Sequence, residues 1–229
     1  TKNGEHTLNY APEIYFTEAT SKLNVVVSDG REGKEAIGYM KAYVNMDVAT
    51  LNVGSQPLAN NAHVKYPDAF GMVSLNDLKT YSVDYAIANE VNAKNVDFKF
   101  YCFGASGSPR LYSMDNTGKD GEFSGSTGKL SAIKVKNLTR FAILSNFDYE
   151  NATVASISSE ILSSSIAQSL LDPIAVGNVI AFRTGGSSAA GGGTIGVMKV
   201  INITEPKELV SNNATARVMT VEIKFPKKK

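Results

Sequence analysis

Few residues in this chain have the types and spacing to carry chemistry. His6 and His63 are the two histidines, and neither has a metal-ligand partner at useful spacing. Cys102 is the single cysteine, which excludes an intramolecular disulfide and a thiolate zinc cluster. Ser126-Thr127-Gly128-Lys129 spells the Ser-x-x-Lys string of serine–lysine acyl transfer. That chemistry needs both side chains on one helical turn, whereas this string leads toward a strand and no partner motif follows. The run Gly185-Gly186-Ser187-Ser188-Ala189-Ala190-Gly191-Gly192-Gly193 has the glycine content of a phosphate loop. A phosphate loop needs a helix N-terminus behind it; here the flanks Val179–Phe182 and Ile195–Val200 are strand-like, so the run is expected to be a hairpin tip. Asp115, Asp120 and Glu122 lie in an oxygen-rich stretch and are weak calcium candidates, because Lys119 interrupts the alternation of ligands. No cofactor is expected, and the chain is expected not to be an enzyme.

Contact chemistry is better represented. Tyr39 and Tyr43 fall four residues apart on the outward face of an alternating segment, where both rings could line a sugar- or protein-binding surface. Tyr112 joins them as a contact candidate. Arg183 and Lys199 are expected on adjacent antiparallel strands, as an anion contact or as edge protection against aggregation.

Most of the elements that must position these residues are strands. Alternation with period two marks residues 39–48, 81–87, 96–102 and 219–225, and apolar runs mark 23–27, 133–135, 179–182 and 195–203. In 96–102, Val96, Phe98, Phe100 and Cys102 share one face, with Asp97, Lys99 and Tyr101 opposite. Turn signals such as Asp29-Gly30 and Asp120-Gly121 separate the runs. A helical segment is expected over about 151–171, stopped by Asp172-Pro173. The polar stretch around residue 90 suggests a boundary. The expected fold is mainly β: an immunoglobulin-like β-sandwich over 1–90, then a β-sandwich-like domain over 91–229 carrying the helical insertion.

With 229 residues, 43% hydrophobic, the chain can build a proper core. Twenty-three Lys+Arg against 22 Asp+Glu leave a formal charge of +1, without the basic stripe that nucleic acid requires. No stretch approaches the ~20 apolar residues of a membrane span.

The second half resembles a known group. Val96-Asp97-Phe98-Lys99-Phe100-Tyr101, Leu111-Tyr112-Ser113, Arg140-Phe141, Phe147-Asp148 and above all Val176-Gly177-Asn178-Val179-Ile180-Ala181-Phe182-Arg183-Thr184 are similar to strings in exported β-sandwich lipoproteins of Bacteroidetes-type bacteria, mostly of unknown function. Gly196–Ile203 and Met219–Lys224 extend the resemblance, while Met114 and Asn178 depart from it. It implies an outer-membrane or cell-surface address, with a lipid anchor upstream of the chain as the only membrane link. The expected function is a non-enzymatic binding or adhesion module of the cell envelope, its partner a glycan or a protein. The alternative is a small-ligand carrier, for a glycan fragment or haem, serving an outer-membrane transporter.

Overall fold

The computed structural model describes residues 22–28, 35–41, 45–102, 107–204 and 216–227. It forms two units, Thr1–Val44 and Asn45–Lys229. In the first, β1 (Lys22–Ser28) and β2 (Glu35–Lys41) make an antiparallel pair.

The second unit is built on β3 (Met46–Gly54), β4 (Met72–Ser74), β5 (Lys79–Tyr81), α1 (Val83–Ala88), α2 (Glu90–Lys94), β6 (Phe98–Tyr101), β7 (Arg110–Ser113), β8 (Thr139–Leu144), α3 (Val154–Ser163), β9 (Leu170–Leu171), β10 (Val179–Thr184), β11 (Ile195–Ile203) and β12 (Val218–Pro226). The strands form two antiparallel sheets, ordered β3-β12-β11-β10-β8 and β5-β4-β6-β7-β9. Apolar side chains from both fill one core: Leu51, Phe141, Phe182, Met198, Val221 and Phe225 from the first sheet, Val73, Phe98, Phe100 and Leu111 from the second. Gly196 makes room in that core. A Cβ there would press on the Phe182 ring and lie 2.7 Å from Phe225 Cβ.

The chain is mainly β, as the alternation predicts, but its division differs from the boundary expected near residue 90. β3 pairs with β12, and β4 pairs with β6, so strands from either side of that point share both sheets. The polar stretch there is α2, whose Asn89 cap accepts a hydrogen bond from Asn92 N.

Three segments depart from the expected strands. Residues 39–48 are broken at Asn45, whose φ of 56° is a left-handed conformation that asparagine tolerates. Residues 81–87 are mostly helix: Ser82 caps α1 by accepting from Tyr85 N, and Val83 and Ala86 face inward three residues apart. Tyr81 and Tyr85, read as one face of a strand, instead stack four residues apart with ring centroids 4.0 Å apart. Residues 133–135, expected as a strand, form none; they follow directly on a 3-10 turn over Leu130–Ala132. The helix expected over 151–171 is confined to Val154–Ser163, opened by a reciprocal Thr153–Ser156 capping box.

The second sheet is covered on its other face as well. Met72, Tyr101, Tyr112, Phe123, Leu130, Val83 and Ala93 make a second apolar cluster beneath α1 and α2. Asp97, Lys99 and Tyr101 are therefore buried rather than solvent-facing. On the first sheet, Lys224 is buried too: its Nζ donates to Tyr149 O at 2.9 Å and lies 4.0 Å from the Tyr149 ring centroid.

Candidate functional site

The two sheets are sewn together along one side. There, Phe141 N donates to Gln168 O at 2.9 Å and Gln168 N to Phe141 O at 3.2 Å. Along the other side, β3 and the β4–β5 hairpin border a hollow of about 430 Å³, lined by Thr50, Leu51, Asn52, Asp68, Phe70, Leu78, Lys79 and Thr80. Among the described residues, Gly54 N to Phe70 O at 2.9 Å is the main-chain bond joining β3 to this hairpin side. Gly54 permits that approach, because a Cβ would lie 2.8 Å from Leu58 Cβ and against Ala69 O.

The hairpin wall is held rigidly. Its turn runs through Asp77 and Leu78, and Leu78 has a φ of 53°, a costly conformation for a bulky side chain. Asp77 N donates to Ser74 Oγ, and the Asp77 carboxylate accepts from Asn76, Tyr81 and Asn95. Burial works against that charge, yet these bonds hold the Asp77 carboxyl below its ordinary value. The Tyr81 hydroxyl is pushed well above its usual range by burial and by its bond to Asp77. Such a turn presents Leu78 and Lys79 at a defined place beside β3.

Phe70, half-buried, also borders a second hollow of about 640 Å³ with Asn60, Asn61, Ser82, Asp84, Ser124, Gly125 and Ser126. Its centre is Asp84. The carboxylate accepts from Ser126 N and Thr127 N, both at 3.1 Å, from Thr127 Oγ1 at 3.0 Å, from Asn60 Nδ2 at 3.0 Å and from Ser126 Oγ. The Ser126 hydroxyl is the largest influence holding the Asp84 carboxyl far below the usual range. The Ser-x-x-Lys string is therefore a clasp: Ser126 gives its hydroxyl to Asp84, and Lys129 bridges back to Ser124.

The remaining sequence candidates are dispersed. Tyr112, expected as an exposed contact, is buried at 4% exposure, edge-on to Tyr101 at 6.0 Å, because α1 and α2 cover that face. Tyr39 lies in β2, but its side chain, like Tyr43, falls outside the described residues. Arg183 is exposed and donates weakly to Ile161 O at 3.5 Å, while Lys199 pairs with Glu150 at 2.8 Å. Lys199 faces Val179 in the register and Arg183 faces Ile195, so the two cations are four residue pairs apart rather than converging. Arg183 sits opposite Arg140 instead.

The calcium candidates each answer a cation. Asp115 makes a two-pronged pair with Arg140 at 2.8 and 2.7 Å; Asp120 meets Lys99 and Lys136; Glu122 meets Lys119 at 2.7 Å and the Tyr101 hydroxyl at 2.6 Å. Among the described residues, no group of three or more His, Cys, Asp or Glu could hold a metal ion. The Cys102 thiol donates to Gly107 O at 3.2 Å, and His63 Nδ1 accepts from Lys65 N; His6 lies outside the described residues.

The glycine-rich run is the expected connection between β10 and β11, but it is docked. Ser188 donates to the buried Asp97 at 2.5 Å, Ala189 N donates to Lys94 O at 2.8 Å, and Ala190 is part of the core. Gly191 and Gly193, with φ of 93° and 77°, permit the return.

Sequence reasoning singled out neither Asp68, Phe70 nor Lys79. A local signal for this wall is the Asn76-Asp77 pair, residue types that favour a turn; the placement of these residues opposite β3 is tertiary, marked by the bond from Gly54 N to Phe70 O. Among the described residues, no helix is long and apolar enough to cross a membrane. Set against known protein families, curated proteins and solved structures, the chain finds no match.

Proposed function

We propose that this protein is a non-enzymatic binding module of the bacterial cell envelope, and that its contact site is the hollow between β3 and the β4–β5 hairpin. One observation carries this reading. The hollow sets an apolar floor, Leu51, Phe70 and Leu78, beside Asp68 and Lys79, neither of which enters an ion pair among the described residues. Polar groups around an apolar floor, held on a rigid scaffold, are the makings of a recognition site. The competing polar cluster at Asp84 is spent on its own loop. The resemblance of the second half to exported lipoproteins supports the envelope address and a lipid anchor upstream. A carrier would hold its ligand in an enclosed cavity; among the described residues neither of these two hollows is fully enclosed, which supports contact over carriage.

The test is binding of the full chain to arrayed peptides and glycans, alongside Phe70→Ala and Lys79→Ala. Both substitutions are expected to weaken capture by roughly tenfold or more, since central contacts dominate interface energy, with unchanged thermal unfolding. Undiminished capture by both variants would place the contact elsewhere and defeat the proposal.

A further inference from the structure

The kind of ligand this hollow takes is written in the edge of β3, and the assignment rests on the hollow being a binding site. Hydrogen bonds at the ends of β3 identify its two edges. Ser55 N donates to Arg217 O at 2.9 Å and Lys227 N donates to Asn45 O at 2.7 Å, both toward the β12 side. Gly54 N donates the other way, to Phe70 O. Successive residues of an antiparallel strand address opposite edges. Asp47, Ala49, Leu51 and Val53 therefore bond β12, whereas Met46, Val48, Thr50 and Asn52 direct their N–H and C=O groups outward. Among the described residues, these four have no main-chain partner on that edge.

That row selects its ligand. Donor and acceptor recur at every second residue, about 6.6–6.8 Å apart. An extended polypeptide repeats donors and acceptors at the same interval, and sugar hydroxyls do not. β3 also lacks the usual guards of an exposed edge, having no Lys and no Pro and a single charge, at Asp47. Asp68 and Lys79 offer one charge of each sign beside it, complementary to a segment that carries both a cation and an anion. Leu51 and Leu78 give an apolar side chain a floor.

We infer that the hollow binds an extended segment of another protein, added as a strand along the outward edge of β3. Its main chain pairs with Val48, Thr50 and Asn52, and an apolar side chain rests over Leu51 and Leu78. Affinity comes mainly from the backbone, as in other strand-addition interfaces, so recognition tolerates sequence variation.

The experiment is residue-resolved amide exchange of the full chain with a capped peptide of the sequence Val218–Pro226, the alternating segment that β3 already accepts on its other edge. Exchange at Val48, Thr50 and Asn52 is expected to slow by roughly tenfold at saturating peptide. The same peptide N-methylated at alternate residues should have no effect. Thr50→Pro removes one outward N–H at a position where an edge strand tolerates proline; it should fold normally and lose the protection at Val48 and Asn52. Equal protection by the N-methylated peptide, or protection surviving in folded Thr50→Pro, overturns the inference. So does protection that rises with protein concentration alone, which would make a second copy the occupant. If cellohexaose perturbs Phe70 and Lys79 while the peptide slows none of the three amides, strand addition fails and the binding reading stands. If neither probe perturbs the hollow, both fail.

Discussion

Removing the Asp120 carboxylate tests how the second sheet tolerates a lysine in its core. The Lys99 side chain is fully buried and that of Asp120 is 3% exposed. Lys99 retains one further strong partner, Asn116 O at 2.9 Å, and lies 5.7 and 5.9 Å from the Tyr112 and Phe123 ring centroids. Breaking a buried pair from one side typically costs about 3–5 kcal/mol, because the surviving charge stays desolvated. The carbonyl and the two rings place Asp120→Ala near the lower end, about 3 kcal/mol, or roughly 6–12 °C in melting temperature for a unit of this size. The double variant Lys99→Met/Asp120→Leu removes both charges and should return to within about 1.5 kcal/mol of the parent.

The pH dependence has a definite sign. Burial holds the folded-state pKa of Lys99 below its unfolded value of 10.5, with Asp120 opposing the shift. Between those two values the unfolded chain binds the extra proton, so stability from this site rises with pH. Without Asp120 that window opens at lower pH, and the deficit of Asp120→Ala should shrink between pH 7 and pH 9.5. Urea unfolding of the single, double and parent proteins at both pH values measures each quantity. A single-variant cost under about 1 kcal/mol, or a deficit that does not shrink, refutes the account of a desolvated pair.

Other contacts give further expected outcomes. Gly196→Ala would press a methyl group onto Phe182 and Phe225 and should cost about 1–3 kcal/mol in urea unfolding. Ser188→Ala removes a donor from buried Asp97 and should cost about 1–3 kcal/mol, with faster amide exchange at Ala189. Burial opposes ionisation of Asp115, but its bonds from Arg140 and Ser113 hold its carboxyl below the ordinary 3.8. Its stabilisation is thus complete above that value and lost as pH falls through the lower folded one, and Arg140→Ala should flatten the acid limb of a stability–pH profile. Ser126→Ala should raise the Asp84 carboxyl toward the ordinary range, read by carbon NMR of that side chain.

Much of the β character was legible because alternation reports a local fact: which side chains of a strand share a face. The β10–β11 hairpin was legible for the same reason, as two apolar runs flanking a glycine-rich tip. Alternation does not report whether the opposite face is also covered. Lys99 and Tyr112 were read as outward-facing, yet α1, α2 and the 3-10 turns cover them, and only packing between distant segments decides that. Tyr81, Val83, Tyr85 and Ile87 satisfy both a strand period and part of a helical one; the Ser82 cap resolves the ambiguity at Val83.

The site was hidden for a related reason. Asp68, Phe70 and Lys79 have no motif among them, and the hollow lies on the side of β3 away from β12, where no other strand pairs with β3 among the described residues. By itself the sequence determined a mainly β chain with ample apolar material, near-neutral charge and little material for metal or thiol chemistry. Tertiary structure alone decided which edge of β3 has no strand partner among the described residues, which charges are buried against each other and which stand beside an apolar floor. Pairing and desolvation depend on distances between segments far apart in the chain, and no local pattern encodes those distances.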